Sequence, residues 1–209
     1  MPKQFKFDLK TNRWGGRRTN AGRRRLRSIG VAHRTRPRIG LKTALHINIK
    51  LKASIRNKEC LRLLKRSISN ARKHGLSVIH YSLQSNHVHL IVESSSNEIM
   101  TRGMRSLTIT FAKGLKRGRV QIERYHLHVL RSLRETRNAV MYVLFNQQTH
   151  TGLKKAYVDS YSSLGWIYDL RKLAQLKKFT ISLNKIPAFD FLDRPRGWML
   201  GQVGIYERS

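Results

Sequence analysis

The residues with the most chemical promise lie in one short run, Asn86-His87-Val88-His89-Leu90-Ile91-Val92. Its alternation fits a β-strand, on which residues two apart share a face. His87 and His89 therefore project together, while Val88, Leu90 and Val92 turn the other way, toward a core. Two imidazoles side by side suit a divalent metal, but a third donor must then come from another element. An isolated His-x-His is more often a pair of solvent-facing side chains, so the partner element decides between the two readings. The best partner is the stretch Ala139-Val140-Met141-Tyr142-Val143-Leu144-Phe145-Asn146. If it is helical, Tyr142 and Asn146 stand one turn apart on one face. An amide oxygen is a hard ligand suited to Mg²⁺ or Mn²⁺. A tyrosine in so apolar a helix is usually a core residue whose hydroxyl bonds to backbone. Packing of this helix across the histidine strand would instead bring all four groups together.

The surrounding pattern supplies elements able to do this. Residues Ala44–Leu51 alternate apolar and polar and predict a strand. Asn57 is placed to cap a helix from about Lys58 to His74, with Leu61, Leu64, Ile68 and Ala71 on one face and Gly75 as its stop. A second strand covers Leu76–Leu83. Gln84-Ser85-Asn86 makes a turn, and His87–Glu93 is a third strand paired with the second. A second amphipathic helix carries Ile99, Met104, Leu107, Phe111 and Leu115, an extended stretch spans Val120–Leu130, and Ser132 with Glu135 opens a third helix running to about Gln148. The order β-α-β-β-α-β is that of an α+β, ferredoxin-like antiparallel sheet, here followed by the helix that carries Tyr142. Such a plan hosts many functions and does not choose among them.

Charge narrows the partner. The 209 residues carry 43 Lys and Arg against 11 Asp and Glu, a formal net charge of +32. A compact chain so charged repels itself unless a polyanion neutralises it, and nucleic acid is the obvious candidate. Ribosomal and chromatin proteins share this composition, so it names a partner class and no activity. Residues 1–40 hold thirteen of the basic residues and one acid, Asp8, without helical or strand periodicity. They read as a basic arm able to track phosphates through Arg17, Arg18, Arg23, Arg24 and Arg25; a flexible solubilising tail is the other reading. The catalytic domain would span residues 41–152, and residues 153–209 an extension packing on it. The single cysteine, Cys60, excludes an internal disulfide and a cysteine zinc site. With neither a membrane-spanning run nor an apolar signal-peptide core, a cytoplasmic, nucleoid-associated location is expected.

The run His80-Tyr81-Ser82-Leu83-Gln84-Ser85-Asn86-His87-Val88-His89-Leu90-Ile91-Val92-Glu93 resembles the HUH strand of IS200/IS605-like transposases, and most of all the branch of REP-associated tyrosine transposases. Arg124-Tyr125-His126 and Ala139–Leu144 with Asn146 resemble that branch's downstream block and tyrosine helix. Gly15–Arg25 and Trp198-Met199-Leu200 are similar to segments of its longer members. The resemblance spans about residues 14–152 and touches the C-terminal stretch only loosely.

The resemblance implies that His87 and His89 bind a divalent metal, Mg²⁺ or Mn²⁺, with Asn146 as third ligand where IS200/IS605 members typically have glutamine. It implies that Tyr142 is the nucleophile, with Tyr125 as a rival that would otherwise position DNA or pack. It implies cleavage and rejoining of single-stranded or hairpin DNA through a 5′-phosphotyrosine, without ATP, by a monomer or a homodimer. Arg124 joins the arginines of the arm as a DNA contact, and Arg102, Arg105, Lys113, Lys116, Arg117 and Arg119 are further candidates. The alternatives are a non-catalytic, domesticated protein that binds DNA or RNA hairpins, and a nuclease that uses water.

Overall fold

The structure is a computed structural model, and it describes residues 37–115, 121–151, 159–166 and 191–203. The basic arm with Arg17, Arg18, Arg23, Arg24 and Arg25 lies outside the described residues, as do Lys116, Arg117 and Arg119. The elements follow in the order β1 (Thr43–Lys50), α1 (Lys58–Arg72), β2 (Ser77–Leu83), β3 (His87–Ser94), α2 (Asn97–Gly114), β4 (His126–Val129) and α3 (Leu133–Thr151). A 3-10 turn at Ser163–Trp166 and a short helix, α4 (Trp198–Gly201), complete them. The four strands form one sheet in the order β2-β3-β1-β4, every neighbour antiparallel. This is the ferredoxin-like α+β arrangement expected from the element order.

The helices form where local chemistry starts and stops them. The Asn57 side chain accepts from the Cys60 amide at 2.8 Å to cap α1, and Ser96 Oγ accepts from the Ile99 amide at 3.2 Å to cap α2. Chain reversal after α1 uses Gly75 at φ 81°, a conformation that costs glycine little. At the start of α3, Ser132 Oγ accepts from the Glu135 amide, while the Glu135 carboxylate accepts from the amide of Arg131 rather than from that of Ser132. The expected capping pair is thus present, with its return bond displaced by one residue.

Two cores lie on opposite faces of the sheet. On the first, Leu45, Ile47 and Ile49 of β1 and Val88, Leu90 and Val92 of β3 pack under α1 and α2, with Leu64, Ile68, Met104, Leu107 and Phe111. On the second, Ala44, Ile79 and Ile91 pack under α3, with Val140, Val143, Leu144 and Phe145. Strand β2 serves both faces through an irregularity between Val78 and His80. Val78 and Tyr81 stand three apart, so a regular strand would turn them to opposite sides; the additional residue returns both to the first core and leaves Ile79 for the second. The fourth strand is shorter than the expected Val120–Leu130. Only Leu45–Asn48 of β1 pairs with it continuously, and beyond lies a single bridge, Leu51 to Ile122.

Described parts of the last sixty residues are held to this body by buried acids. Asp159 pairs with Arg56 at 2.7 Å and Asp193 with Arg72 at 2.9 Å, and Glu93 accepts from the amides of Arg196 and Gly197 at 2.8 Å each. Burial pushes the Glu93 carboxyl above its ordinary range, against the pull of those two amides. Among the described residues, no helix is long and apolar enough to cross a membrane.

Helix α2 approaches the start of β2 so closely that a Cβ on Gly103 would lie 2.4 Å from the Cβ of the buried Leu76. Neither atom can move without its backbone. Gly103→Ala should therefore lower the unfolding free energy by about 1–3 kcal/mol, although alanine is the better helix former by about 1 kcal/mol. Urea unfolding of the two proteins checks this; an unchanged or higher midpoint would refute the close packing.

Candidate functional site

The second face of the sheet carries the histidines. His87 and His89 share it by the two-residue period of β3, their ring centroids 4.8 Å apart and nearly perpendicular. The preceding turn is fastened on both sides: the Gln84 amide donates to the His87 carbonyl, and the Leu51 and Ile55 amides donate to the carbonyls of Asn86 and Ser85. Strand β3 is an inner strand, so β1 adds further side chains to the same face. In register, Lys50 stands opposite His87, Asn48 opposite His89, and His46 opposite Ile91. Strand β4 then sets His126 opposite Asn48 and His128 opposite His46. Directly opposed residues point to one side. His80 of β2, opposite Ile91, falls on this face as well, so six imidazoles share it.

Tyr142 comes to this face from above. Its ring lies 5.3 Å from that of His89 and 6.1 Å from that of His46, edge-on to both. The three residues belong to one subunit, so the approach needs no second copy. The sequence around Tyr142 suggests a core residue, yet its side chain is 42% exposed. Helix α3 buries Val140, Val143 and Leu144, which leaves position 142 on the flank of the helix. The phenol is thus held beside the imidazoles and open to an incoming chain.

Asn146 follows a kink. Phe145 departs from helical geometry (φ −106°, ψ 15°), so Tyr142 and Asn146 do not simply continue one straight face. Asn146 is fully buried, and neither Oδ1 nor Nδ2 has a hydrogen-bond partner among the described residues. A buried amide left so costs roughly 1–3 kcal/mol, and few positions in a native protein tolerate it. On β1, Asn48 Oδ1 is likewise buried without a partner among the described residues.

These residues fit a divalent ion. His87 Nδ1 is 2.9 Å from Asn86 Oδ1, which can only accept, so a neutral His87 that makes this bond carries its proton on Nδ1 and its lone pair on Nε2. His89 Nδ1 is engaged by His46 Nε2 at 3.1 Å. Oriented imidazoles with one nitrogen tied back are typical of metal-binding histidines. Among the described residues, no three His, Cys, Asp or Glu side chains make a metal site by themselves. A third donor would then be an amide oxygen: those of Asn146 and of Asn48, which stands opposite His89, both lack a partner among the described residues and have the right chemistry for a hard cation.

The electrostatics of the face follow from burial. Desolvation, aided by the nearby His128, lowers His46 to about 4, so it is neutral at physiological pH. The amide of Arg131, together with His128, holds the Glu135 carboxyl below its ordinary range. Lys50, opposite His87, is exposed, as are Arg124, Arg131, Arg134 and Arg137 before β4 and about the start of α3.

Other nominated residues fall elsewhere. Tyr125 precedes β4 with opposite alternation to His126 and packs, half-buried, against the first core. It is on the far side of the sheet from the imidazoles. Arg102, Arg105 and Lys113 sit on α2, which covers that same far side, and Arg102 pairs with Glu98 at 3.7 Å. They do not border the histidine face. Conversely, His46, Asn48, His126 and His128 escaped the reading of the sequence. The signal for two of them was present: in Ala44–Leu51 the polar positions alternate with Leu45, Ile47 and Ile49, and a ferredoxin-like order puts β1 beside β3.

No protein-family model matches the chain, and no curated protein matches it. Among solved structures, it is similar to a REP-associated tyrosine transposase bound to a REP hairpin: TM-score 0.56 and 16% identity, over 78% of this chain and 98% of that one. A bacterial tRNA(His) guanylyltransferase-like protein in complex with GTP is far less similar, at TM-score 0.42 and 10% identity over 56% of this chain and 67% of that one, and carries no argument.

Replacing the Asn146 amide by an apolar group of like size removes the cost of leaving it unsatisfied. Asn146→Leu is expected to raise the unfolding free energy of the metal-free protein by about 1–3 kcal/mol, read by chemical denaturation. A loss of stability would mean that the amide has an internal partner. The histidine pair and Tyr142 thus meet over one face of the sheet, and the chain has the fold of a REP-associated tyrosine transposase.

Proposed function

We propose that this chain is a tyrosine transposase of the REP-associated kind, which cuts and rejoins single-stranded or hairpin DNA through a covalent bond to Tyr142. The observation that carries the proposal is the position of an exposed phenol 5.3 Å, ring to ring, from the inner histidine of a paired His-x-His. A tyrosine that served only packing would have its ring inside one of the two cores.

His87, His89 and Asn146 would hold the divalent ion, Mg²⁺ or Mn²⁺. When bound, such an ion supplies charge withdrawal from the phosphate oxygens and orientation of the scissile bond. Tyr142 then acts by in-line attack of its oxygen on phosphorus. The bond from phosphorus to the 3′ oxygen breaks, a 5′-phosphotyrosine forms, the phenol proton leaves to solvent, and the departing 3′ oxygen takes up a proton. Attack by the 3′-hydroxyl of another strand reverses these steps and rejoins the DNA. The phosphodiester energy stays in the tyrosine link, so no nucleotide cofactor is needed.

The shape of the site favours a flexible strand. His89 is 3% exposed beneath the flank of α3, and a phosphate in a rigid duplex would not reach it easily. Exposed Lys50, Arg124 and the arginines at the start of α3 would meet the backbone, and the net charge of +32 favours a polyanion generally. The solved transposase of the same fold was captured with a REP hairpin, which supports a hairpin as the substrate here. Location with the nucleoid in the cytoplasm follows from that substrate.

Incubation with labelled hairpin DNA and Mn²⁺, followed by denaturing electrophoresis, tests the proposal. Wild-type protein should carry label covalently. Tyr142→Phe should lose the adduct by at least about a hundredfold while binding the hairpin within about threefold, since one hydroxyl contributes little to backbone affinity. Tyr125→Phe should keep the adduct. Adduct loss in Tyr125→Phe instead would reassign the nucleophile; cleavage without adduct would indicate attack by water; binding without cleavage would indicate a non-catalytic hairpin-binding protein.

A further inference from the structure

We infer that His46 is a positioning residue for this site: by accepting a hydrogen bond at Nε2 it keeps the proton of His89 on Nδ1, so that His89 presents Nε2 to a metal. The inference rests on His89 being a ligand, as proposed above.

The geometry is direct. His46 projects from β1 onto the imidazole face, diagonally across from His89. The two rings meet edge to edge, centroids 5.2 Å apart with 30° between their planes, and His46 Nε2 lies 3.1 Å from His89 Nδ1. A hydrogen bond between two ring nitrogens needs one proton between them, so one ring donates and the other accepts. An imidazole that binds a metal through Nε2 carries its proton on Nδ1 and must be the donor. His46 is then the acceptor, with its own proton on Nδ1. The same ring also meets Tyr142 edge-on at 6.1 Å, so one side chain backs both the ligand and the phenol.

The choice of partner has a physical consequence. Ligand histidines commonly donate their second N–H to a carboxylate or a backbone carbonyl. A carboxylate here would put negative charge beside the phosphate the site must admit. A neutral imidazole accepts the same bond without that repulsion. The competing interpretation is that His46 merely fills space between β1 and α3. That interpretation predicts that any side chain of similar size serves as well, whereas the positioning role requires an acceptor atom.

Isothermal titration of the full-length chain with Mn²⁺, without DNA, separates the two, using wild type, His89→Ala, His46→Phe and His46→Gln. The phenyl ring fills the space without an acceptor; the glutamine Oε1 can accept from His89 Nδ1. His46→Phe should weaken Mn²⁺ binding by about 10–100-fold, and His46→Gln should stay within about threefold of wild type. Wild-type affinity in His46→Phe, or a tenfold or greater loss in His46→Gln, would overturn the positioning role while leaving His89 as a ligand. Should His46→Phe not fold, His46→Leu, which also fills space without an acceptor, takes its place under the same limits. Absence of Mn²⁺ binding in wild type, or its persistence in His89→Ala, would remove the ligand assignment itself and the inference with it.

Discussion

Antiparallel pairing of β1 with β3 in a single register sets both faces of the sheet at once. With Asn48 opposite His89 and His46 opposite Ile91, every large aliphatic side chain of β1 falls under α1 and α2, and His46, Asn48 and Lys50 fall on the face of the histidine pair. The coupling is strict because strand side chains alternate. A slip of one residue would turn Leu45, Ile47 and Ile49 out of the first core and His46 into it. Burial of three aliphatic side chains stabilises the correct register by roughly 1.5–3 kcal/mol each, far more than the polar face could resist. The core on one side thereby aligns the imidazoles on the other.

The opposite face then needs a roof that buries its apolar end and leaves its polar end reachable. Helix α3 does both. Val140, Val143 and Leu144 close over Ala44, Ile79 and Ile91, while Tyr142 stays on the flank beside His89. The departure from helical geometry at Phe145 changes the course of the chain immediately before Asn146. A fully buried amide at that point with no partner among the described residues lowers stability, which is the usual mark of a residue kept for chemistry rather than for packing. The same trade is visible in the charge of the chain, which opposes compaction and favours a polyanionic partner.

Much of this was legible beforehand. The alternation in Asn86–Val92 reveals that His87 and His89 share a face, and the order of elements leads to the ferredoxin-like sheet. The shared fold of a REP-associated tyrosine transposase agrees with the family resemblance carried by the His-x-His strand and the tyrosine helix. What stayed hidden depends on pairing between strands far apart in sequence. His46, forty-three residues before His89, becomes its neighbour only through the β1–β3 register. The irregularity in β2 was invisible because Ile79 and His80 read as ordinary alternation, and the exposure of Tyr142 was masked by the apolar residues on both sides of it. The arginines of α2 look suited to DNA by charge alone; which side of the sheet they occupy is a tertiary fact.

Anomalous diffraction from crystals of the protein grown with Mn²⁺ tests the central claim most directly. The account predicts one strong peak at the imidazoles of His87 and His89, with the Asn146 amide oxygen among the ligands and the phenol of Tyr142 from the same subunit facing it. A peak held by other residues, or a Tyr142 turned away from the occupied histidines, would contradict it.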